Sequence, residues 1–247
     1  VSYQTAWLKY HYPAEMICAC MQYNENPDKL SNIISDAWDF NVPLIGPDVN
    51  NMQPDFICVQ ENNTLGIQFG LTSVKGCGDA LISTVNPGEK FESFADFVFK
   101  KRYGKGVLEA LIYAGAFDCF NKNRKMLTVH AAYLNKKLED IKKVEKTIST
   151  DVAIKQILHV KSAELKAAGE NWKKIFEAEN ISLKVKNLPK VDSVTNKIEK
   201  NMQKLDELKR DFFSFAPSVE KDDPRFNLAK EKEVLGLYIS GHPTDYY

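Results

Sequence analysis

The chain lacks the long apolar run of a membrane helix: no stretch approaches the roughly 18 residues that a span requires. No signal-peptide pattern is read at its start. Histidine is scarce, and His11, His130, His159 and His242 lie far apart, which argues against metal-hydrolase or triad chemistry. Paired carboxylates with supporting spacing are missing as well. Two-metal nucleotidyl transfer needs such a cluster to hold ions about 3.5–4 Å apart, whereas Asp222 and Asp223 stand in a polar, Pro-flanked linker and read as solvent-facing. The five cysteines, Cys18, Cys20, Cys58, Cys77 and Cys119, are odd in number and scattered. They form neither a ligand pattern nor a disulfide framework, so a reducing cytoplasm is the expected setting and no metal or other cofactor is expected.

What is present suffices for a core. At 247 residues and 44% hydrophobic content the chain can build one large or two modest domains. An apolar-periodic helix is already under way at Val1, as expected for a piece of a longer chain. Net charge is zero, but residues 121–210 carry 21 Lys/Arg against 12 Asp/Glu, whereas residues 1–120 carry 8 against 14. A basic middle on an acidic frame allows nucleic acid as a partner, and a lysine-rich solvated helical surface gives the same statistics.

The most informative stretch is residues 70–85, where Gly76 and Gly78 separate short apolar runs of helical spacing. Glycine turns the chain sharply and lets backbone approach another surface closely. Asp79 suits the first turn of a following helix, which would run through Ala80 and Ser83. Helix, Gly-x-Gly turn and helix is the pattern of a helix-hairpin-helix motif. Backbone amides at the second helix start can meet a DNA phosphate, with Lys75 adding a point charge beside them. The candidate phosphate-binding residues are therefore Lys75, Gly76, Cys77, Gly78, Asp79, Ala80 and Ser83. An ordinary turn between two core helices uses the same glycines.

In chain order, residues 2–22 read as helix broken near Pro13, with Tyr3, Ala6, Trp7 and Tyr10 on one buried face. Pro13 opens a second helix that turns Met16, Ile17, Ala19, Cys20 and Tyr23 inward, and Pro27 opens a third using Leu30, Ile33, Ile34, Ala37 and Trp38. Residues 42–46 are extended, and residues 56–60 and 65–69 form a β-hairpin. Short helices follow around Phe94 and Leu108. The small-residue turn Ala114-Gly115-Ala116 is a candidate second hairpin, and tandem hairpins hold both strands of a duplex through phosphates. Gly115 on its own is more often a helix C-terminal cap.

Ser2-Tyr3-Gln4-Thr5-Ala6-Trp7-Leu8-Lys9 with His11-Tyr12-Pro13-Ala14-Glu15-Met16 resembles the end of the fingers domain in the bacterial replicative DNA polymerase III α subunit (C-family). Pro47-Asp48-Val49-Asn50, the Gly76–Gly78 turn, Val107-Leu108-Glu109-Ala110-Leu111-Ile112 with Gly115-Ala116-Phe117-Asp118, and Glu233-Val234-Leu235-Gly236-Leu237-Tyr238-Ile239-Ser240-Gly241-His242-Pro243 follow in the family's order. The pattern is closer to the DnaE type than to the PolC type. The resemblance implies double-stranded DNA and other polymerase domains as partners. It also implies a parent enzyme that uses Mg²⁺, with its metal-binding aspartates upstream of this segment, which should be inactive alone. It further implies a sliding-clamp peptide, for which the candidate is Asp211, Phe212, Phe213 and Phe215.

There are departures. Tyr103-Gly104-Lys105-Gly106 stands where relatives carry basic residues, Ile82 replaces a small residue, Lys209 stands in place of the clamp peptide's Gln, and residues 137–225 match least. That region reads as amphipathic helices, either an inserted subdomain or lysine-rich arms along DNA through Lys136, Lys137, Lys142 and Lys143; the Phe cluster also fits a helix end packed on its own core. The expected fold is mainly α: a fingers remnant (1–46), a tandem helix-hairpin-helix domain with a small β-hairpin (47–125), a lysine-rich helical insertion (126–225) and a connector helix (226–247). The expected role is to hold duplex behind a replicative active site. The rivals are a protein-binding scaffold and one subunit of a split polymerase.

Overall fold

The computed structural model describes residues 2–23, 27–61, 64–78, 84, 86, 88–181, 187–218, 221–241 and 244. The chain is mainly helical and divides into two compact units, Val1–Tyr133 with Pro217–Tyr247, and Leu134–Ala216. None of its helices is long and apolar enough to cross a membrane, among the described residues.

In the first unit, α1 (Ser2–His11) gives way to α2 (Pro13–Gln22) at Tyr12. Proline fits the first helical turn because the missing N–H had no helical partner there. Ala14, Ile17, Cys18 and Met21 of α2 are buried and, with Ile34 and Ala37 of α3 (Pro27–Asp39), form one end of the core. Two expectations fail here. The ring stripe of α1 is not buried: Tyr3 is 80%, Tyr10 76% and Trp7 44% exposed, and Trp7 packs on His11 and Tyr12 of its own segment. Ala19, Tyr23 and Trp38 also face outward. Periodicity says which residues share a face, but whether a neighbour covers that face is decided elsewhere.

A three-stranded sheet follows, in the order β1-β3-β2. β2 (Ile57–Glu61) and β3 (Thr64–Gln68) make the antiparallel hairpin, with Ile57 opposite Gln68 and Glu61 opposite Thr64. The short β1 (Leu44–Ile45) lies parallel to β3. Ile67 on β3 is completely buried, and Phe56 meets Phe69 edge-on at 5.0 Å.

Ser93 caps α4 (Phe94–Lys101) by accepting from the Asp96 amide. Phe94 and Phe97 of this helix meet Phe117 edge-to-face at 4.8 and 4.9 Å, and Phe91 meets Phe97 at 4.9 Å. Such pairs add to the burial of their rings. α5 (Lys105–Tyr113) contributes Leu108, Leu111 and Ile112, and α6 (Arg124–Val160) begins beside it.

The second unit is built on the remainder of α6, together with α7 (Ser162–Ala168), α8 (Lys173–Ala178) and α9 (Val191–Ser214). Residues 138–158 continue as one helix, and its apolar positions Leu138, Ile141, Ile154, Ile157 and Leu158 are all buried, the last three in a cluster with Val194 of α9. α9 runs antiparallel to it: Lys137 pairs with Asp211 at 3.2 Å and Lys197 with Asp151 at 2.9 Å. The two contacts are equally spaced on both helices, which fixes the register. Beyond them Leu165, Trp172, Phe176 and Val194 close a local core.

The chain returns to the first unit through α10 (Pro224–Leu235), capped by Asp223, whose carboxylate accepts from the Arg225 and Phe226 amides. Asp222 is half-buried and accepts from Asn227 at 2.9 Å, so this pair organises a helix start and is not merely solvent-facing. Glu231 of α10 is 1% exposed, and its carboxylate receives the Arg124 guanidinium at 2.7 Å. It also accepts from the backbone amides of Ile239 and Ser240 and from the Ser240 hydroxyl. Arg124 donates in addition to the Tyr113 carbonyl at 3.0 Å and to Asp118 at 3.0 and 3.4 Å. Burial opposes its charge, but the Asp118 and Glu231 contacts prevail and raise its pKa.

Breaking a buried ion pair from one side leaves an uncompensated charge. Glu231→Ala is therefore expected to cost about 3–5 kcal/mol in urea unfolding, and Arg124→Met with Glu231→Leu together clearly less than the two single losses added. A second expectation concerns His130, which packs against Phe94 at 5.3 Å and whose pKa burial lowers from 6.5. The folded state favours the neutral ring, so the unfolded chain takes up the proton first as pH falls, and stability is lost below about pH 6.5. Thermal melting between roughly pH 7.5 and 5.5 should record that loss, and His130→Phe should flatten it.

Candidate nucleic-acid interface

The first hairpin is set up by glycine before the turn itself. A Cβ on Gly70 would lie 2.4 Å from the backbone of residues 54 and 55, so only glycine lets β3 pass there. The Leu71 amide then bonds to the Gln53 carbonyl, and a single 3-10 turn (Leu71–Ser73) follows, closed by the Ser73 hydroxyl on the Gly70 carbonyl. The expected helix before the turn is thus only one 3-10 turn. Too few residues separate Gly70 from Gly76 for more.

Val74 and Cys77 point inward, at 1% and 7% exposure, and burial pushes the Cys77 thiol up to about 11. Lys75, Gly76 and Gly78 alternate with them on the surface. Gly76 has φ +93°, where a side chain would be strained, although space remains beside Ala110. Gly78 has no such φ, and nothing lies within 4 Å of where its Cβ would stand. The Lys75 amide donates to the Val234 carbonyl of α10 at 2.9 Å, and the Cys77 amide to Val74 at 3.1 Å. Among the described residues the Gly76 and Gly78 amides have no such partner. Asp79, Ala80 and Ser83 lie outside the described residues. Lys101, nearly buried, holds the segment beyond by pairing with Glu89 at 2.6 Å and donating to the Thr84 carbonyl.

The second hairpin is built differently. α5 ends in a Schellman cap: Ala116 N–H reaches the Leu111 carbonyl, Gly115 N–H the Ile112 carbonyl, and Gly115 has φ +83°. Ala114 N–H bonds back to Ala110 as well. Ala114, Gly115 and Ala116 are all buried, and the Ala116 carbonyl accepts from Val49. Arg124 lies across the turn, its guanidinium 2.7 Å from where a Gly115 Cβ would be. In this arrangement the three residues present no amide to a phosphate. A cleft of about 280 Å³ beside them carries Asp48 and Asp118 on its wall with Arg124, whose guanidinium is already engaged by Asp118 and Glu231, so the cleft is not a basic one. Burial raises the Asp118 carboxyl pKa, against the pull of Arg124.

In the second unit, Asp211 faces Lys137, Phe212 is completely buried and meets Phe213 edge-on at 5.2 Å, and Phe213 is 49% exposed. Phe215, half-buried, follows the last turn of α9. The Phe-rich stretch is the end of α9, with one ring buried and the next half exposed. Lys136, Lys142 and Lys143 are exposed, and Lys143 pairs with Asp140. Among the described residues no group of three His, Cys, Asp or Glu could hold a metal ion.

Sequence reasoning missed Arg124, Glu231 and the Val234 carbonyl. One faint signal existed for the first: the chain has four arginines among 33 basic residues. Arginine's rigid fork suits a buried multidentate site that lysine cannot fill.

Comparison with known proteins bears on the same region. The family described as helix-hairpin-helix motif matches residues 41–127, which hold both turns and the start of α6. The chain is 30% identical over its whole length to DNA polymerase III subunit alpha of Buchnera aphidicola, covering 18% of that protein. It is 30% identical to the same subunit of Aquifex aeolicus, again over the whole chain and 16% of the relative. For Deinococcus radiodurans the figures are 30%, with 99% of the chain and 15% of the relative covered. The chain spans less than a fifth of the length of the curated relatives it matches. From end to end, with a helix-hairpin-helix module in its first half, the chain is similar to a segment of DNA polymerase III subunit alpha.

Proposed function

We propose that this chain holds double-stranded DNA for a DNA-directed DNA polymerase, with the Lys75–Gly78 turn as its phosphate contact. The observation that carries this reading is the open first turn: two exposed glycines, an outward lysine and space at Gly78 for a phosphate oxygen. Backbone amides and a lysine read phosphate and not sequence, so binding has little base preference. The first unit as a whole is acidic, with 15 Lys/Arg against 20 Asp/Glu, so the contact is local and involves few phosphates. The second unit has the opposite balance, 18 against 13, which supports a weaker supplementary attraction through its exposed lysines. In this reading nucleotidyl transfer, with its Mg²⁺, belongs to parts of the polymerase outside residues 1–247. The uncovered rings of α1 are where such parts pack. Clamp binding at Asp211–Phe215 has less support, since Phe212 would have to leave its core; Phe213 is the residue a docking partner would meet.

The test separates folding from binding. Lys75→Ala should melt like the parent, bind duplex more weakly, and lower the slope of log affinity against log salt by about one between roughly 50 and 200 mM. Gly78→Val should also melt normally, because its φ is ordinary and its surroundings are open, yet bind weakly because the side chain blocks the phosphate. Gly76→Val should lose about 1–3 kcal/mol of stability to its positive φ. Parent-like duplex affinity in both Lys75→Ala and Gly78→Val would remove the turn from the DNA path.

A further inference from the structure

The two turns are not independent, because one helix touches both. The start of α10 is fixed at Asp222 and Asp223, and its middle is fixed at Glu231. Three residues later the Val234 carbonyl receives the Lys75 amide. Glu231 binds Arg124, and Arg124 holds the second turn through the Tyr113 carbonyl and Asp118. The other contacts of the Glu231 carboxylate draw the backbone of Ile239 and Ser240 back over the end of α10. The closed second turn is therefore an anchor, and α10 is the strut that runs from it to the open one.

We infer that Glu231 is a positioning residue for duplex binding: it touches no DNA, but it sets where along α10 the Val234 carbonyl stands and so how the Lys75 turn is presented. This rests on the reading of that turn as the phosphate contact. The chemistry requires a charged carboxylate. Both oxygens accept, from a guanidinium on one side and amides on the other, and a glutamine amide cannot accept with its nitrogen. Glu231→Gln keeps the shape and turns part of this array from acceptor to donor.

The experiment is a double-variant cycle on the full chain, titrated with a fluorescent duplex well below the melting temperature, with amide hydrogen exchange on the same samples. Glu231→Gln should weaken duplex binding roughly 3- to 10-fold, within the range for residues coupled in one network. Exchange at the Lys75 amide should speed up. The combination with Lys75→Ala should be no weaker than the worse single variant. Ile17→Val, a shaved core residue in α2, should lower melting without changing affinity or Lys75 exchange, which separates positioning from general stability. Should Glu231→Gln fold poorly, Ser240→Ala removes one bond to the same carboxylate and should show the same effects in smaller measure. If Lys75→Ala weakens binding while Glu231→Gln and Ser240→Ala bind as the parent with unchanged Lys75 exchange, the positioning role is wrong and the phosphate reading stands. If Lys75→Ala and Gly78→Val both bind as the parent, both readings are wrong.

Discussion

The first unit depends on one buried ion pair. Arg124 and Glu231 are 107 residues apart, and between them the chain leaves to build a second unit and returns. Hydrophobic burial alone leaves the docking of such a returning segment loosely specified, because many apolar helices can settle against an apolar groove. A guanidinium with several directional donors accepts few arrangements. Taking both charges out of water is expensive, so the pair adds little net stability by itself. What it adds is a unique placement for α10: any slip along its axis would leave a buried charge without its partners.

That placement gives two similar turns different fates. Both have a glycine at positive φ, both follow a short helical element, and both leave an apolar residue pointing into the core. At Gly115 the amides before and after the turn close a Schellman cap, and Arg124 fills the space a ligand would need. At Gly76 the preceding element is only a 3-10 turn, the nearest neighbour to a Cβ is Ala110, and Gly78 stands in the open. The motif supplies a tight turn, and its surroundings decide whether that turn is free to meet a phosphate.

Much of this was legible in the sequence where the information is local. Pro13 and Pro27 marked helix starts because proline has no N–H to lose there, and the β-hairpin followed from two apolar runs separated by the polar residues 61–64. The glycines of both turns were legible as turns, but which one takes positive φ depends on the path of the flanking chain, and that falls to Gly76 and not Gly78. The α1 rings show the other limit. Tyr3, Trp7 and Tyr10 have the spacing of a core face, yet a face becomes core only when something covers it. In the second unit the apolar positions of α6 and α9 were readable, whereas their antiparallel register rests on two ion pairs between residues 74 and 46 positions apart.

Arg124 and Glu231 were illegible for the same physical reason on a larger scale. Each sits in a polar, charged stretch that looks solvated, and nothing local to either says that it is buried. Their burial follows from the aromatic cluster around Phe97 and Phe117, which carries the end of α5 and the start of α6 into the core and takes Arg124 with them. Once that arginine is inside, a carboxylate must meet it, and α10 is the element that brings one. Lysine in its place would offer a single ammonium to three separate acceptor groups, the Tyr113 carbonyl and the Asp118 and Glu231 carboxylates. The one arginine in this stretch is thus a consequence of where the phenylalanines put the chain, and the exposure of Lys75 is in turn a consequence of where that arginine holds α10.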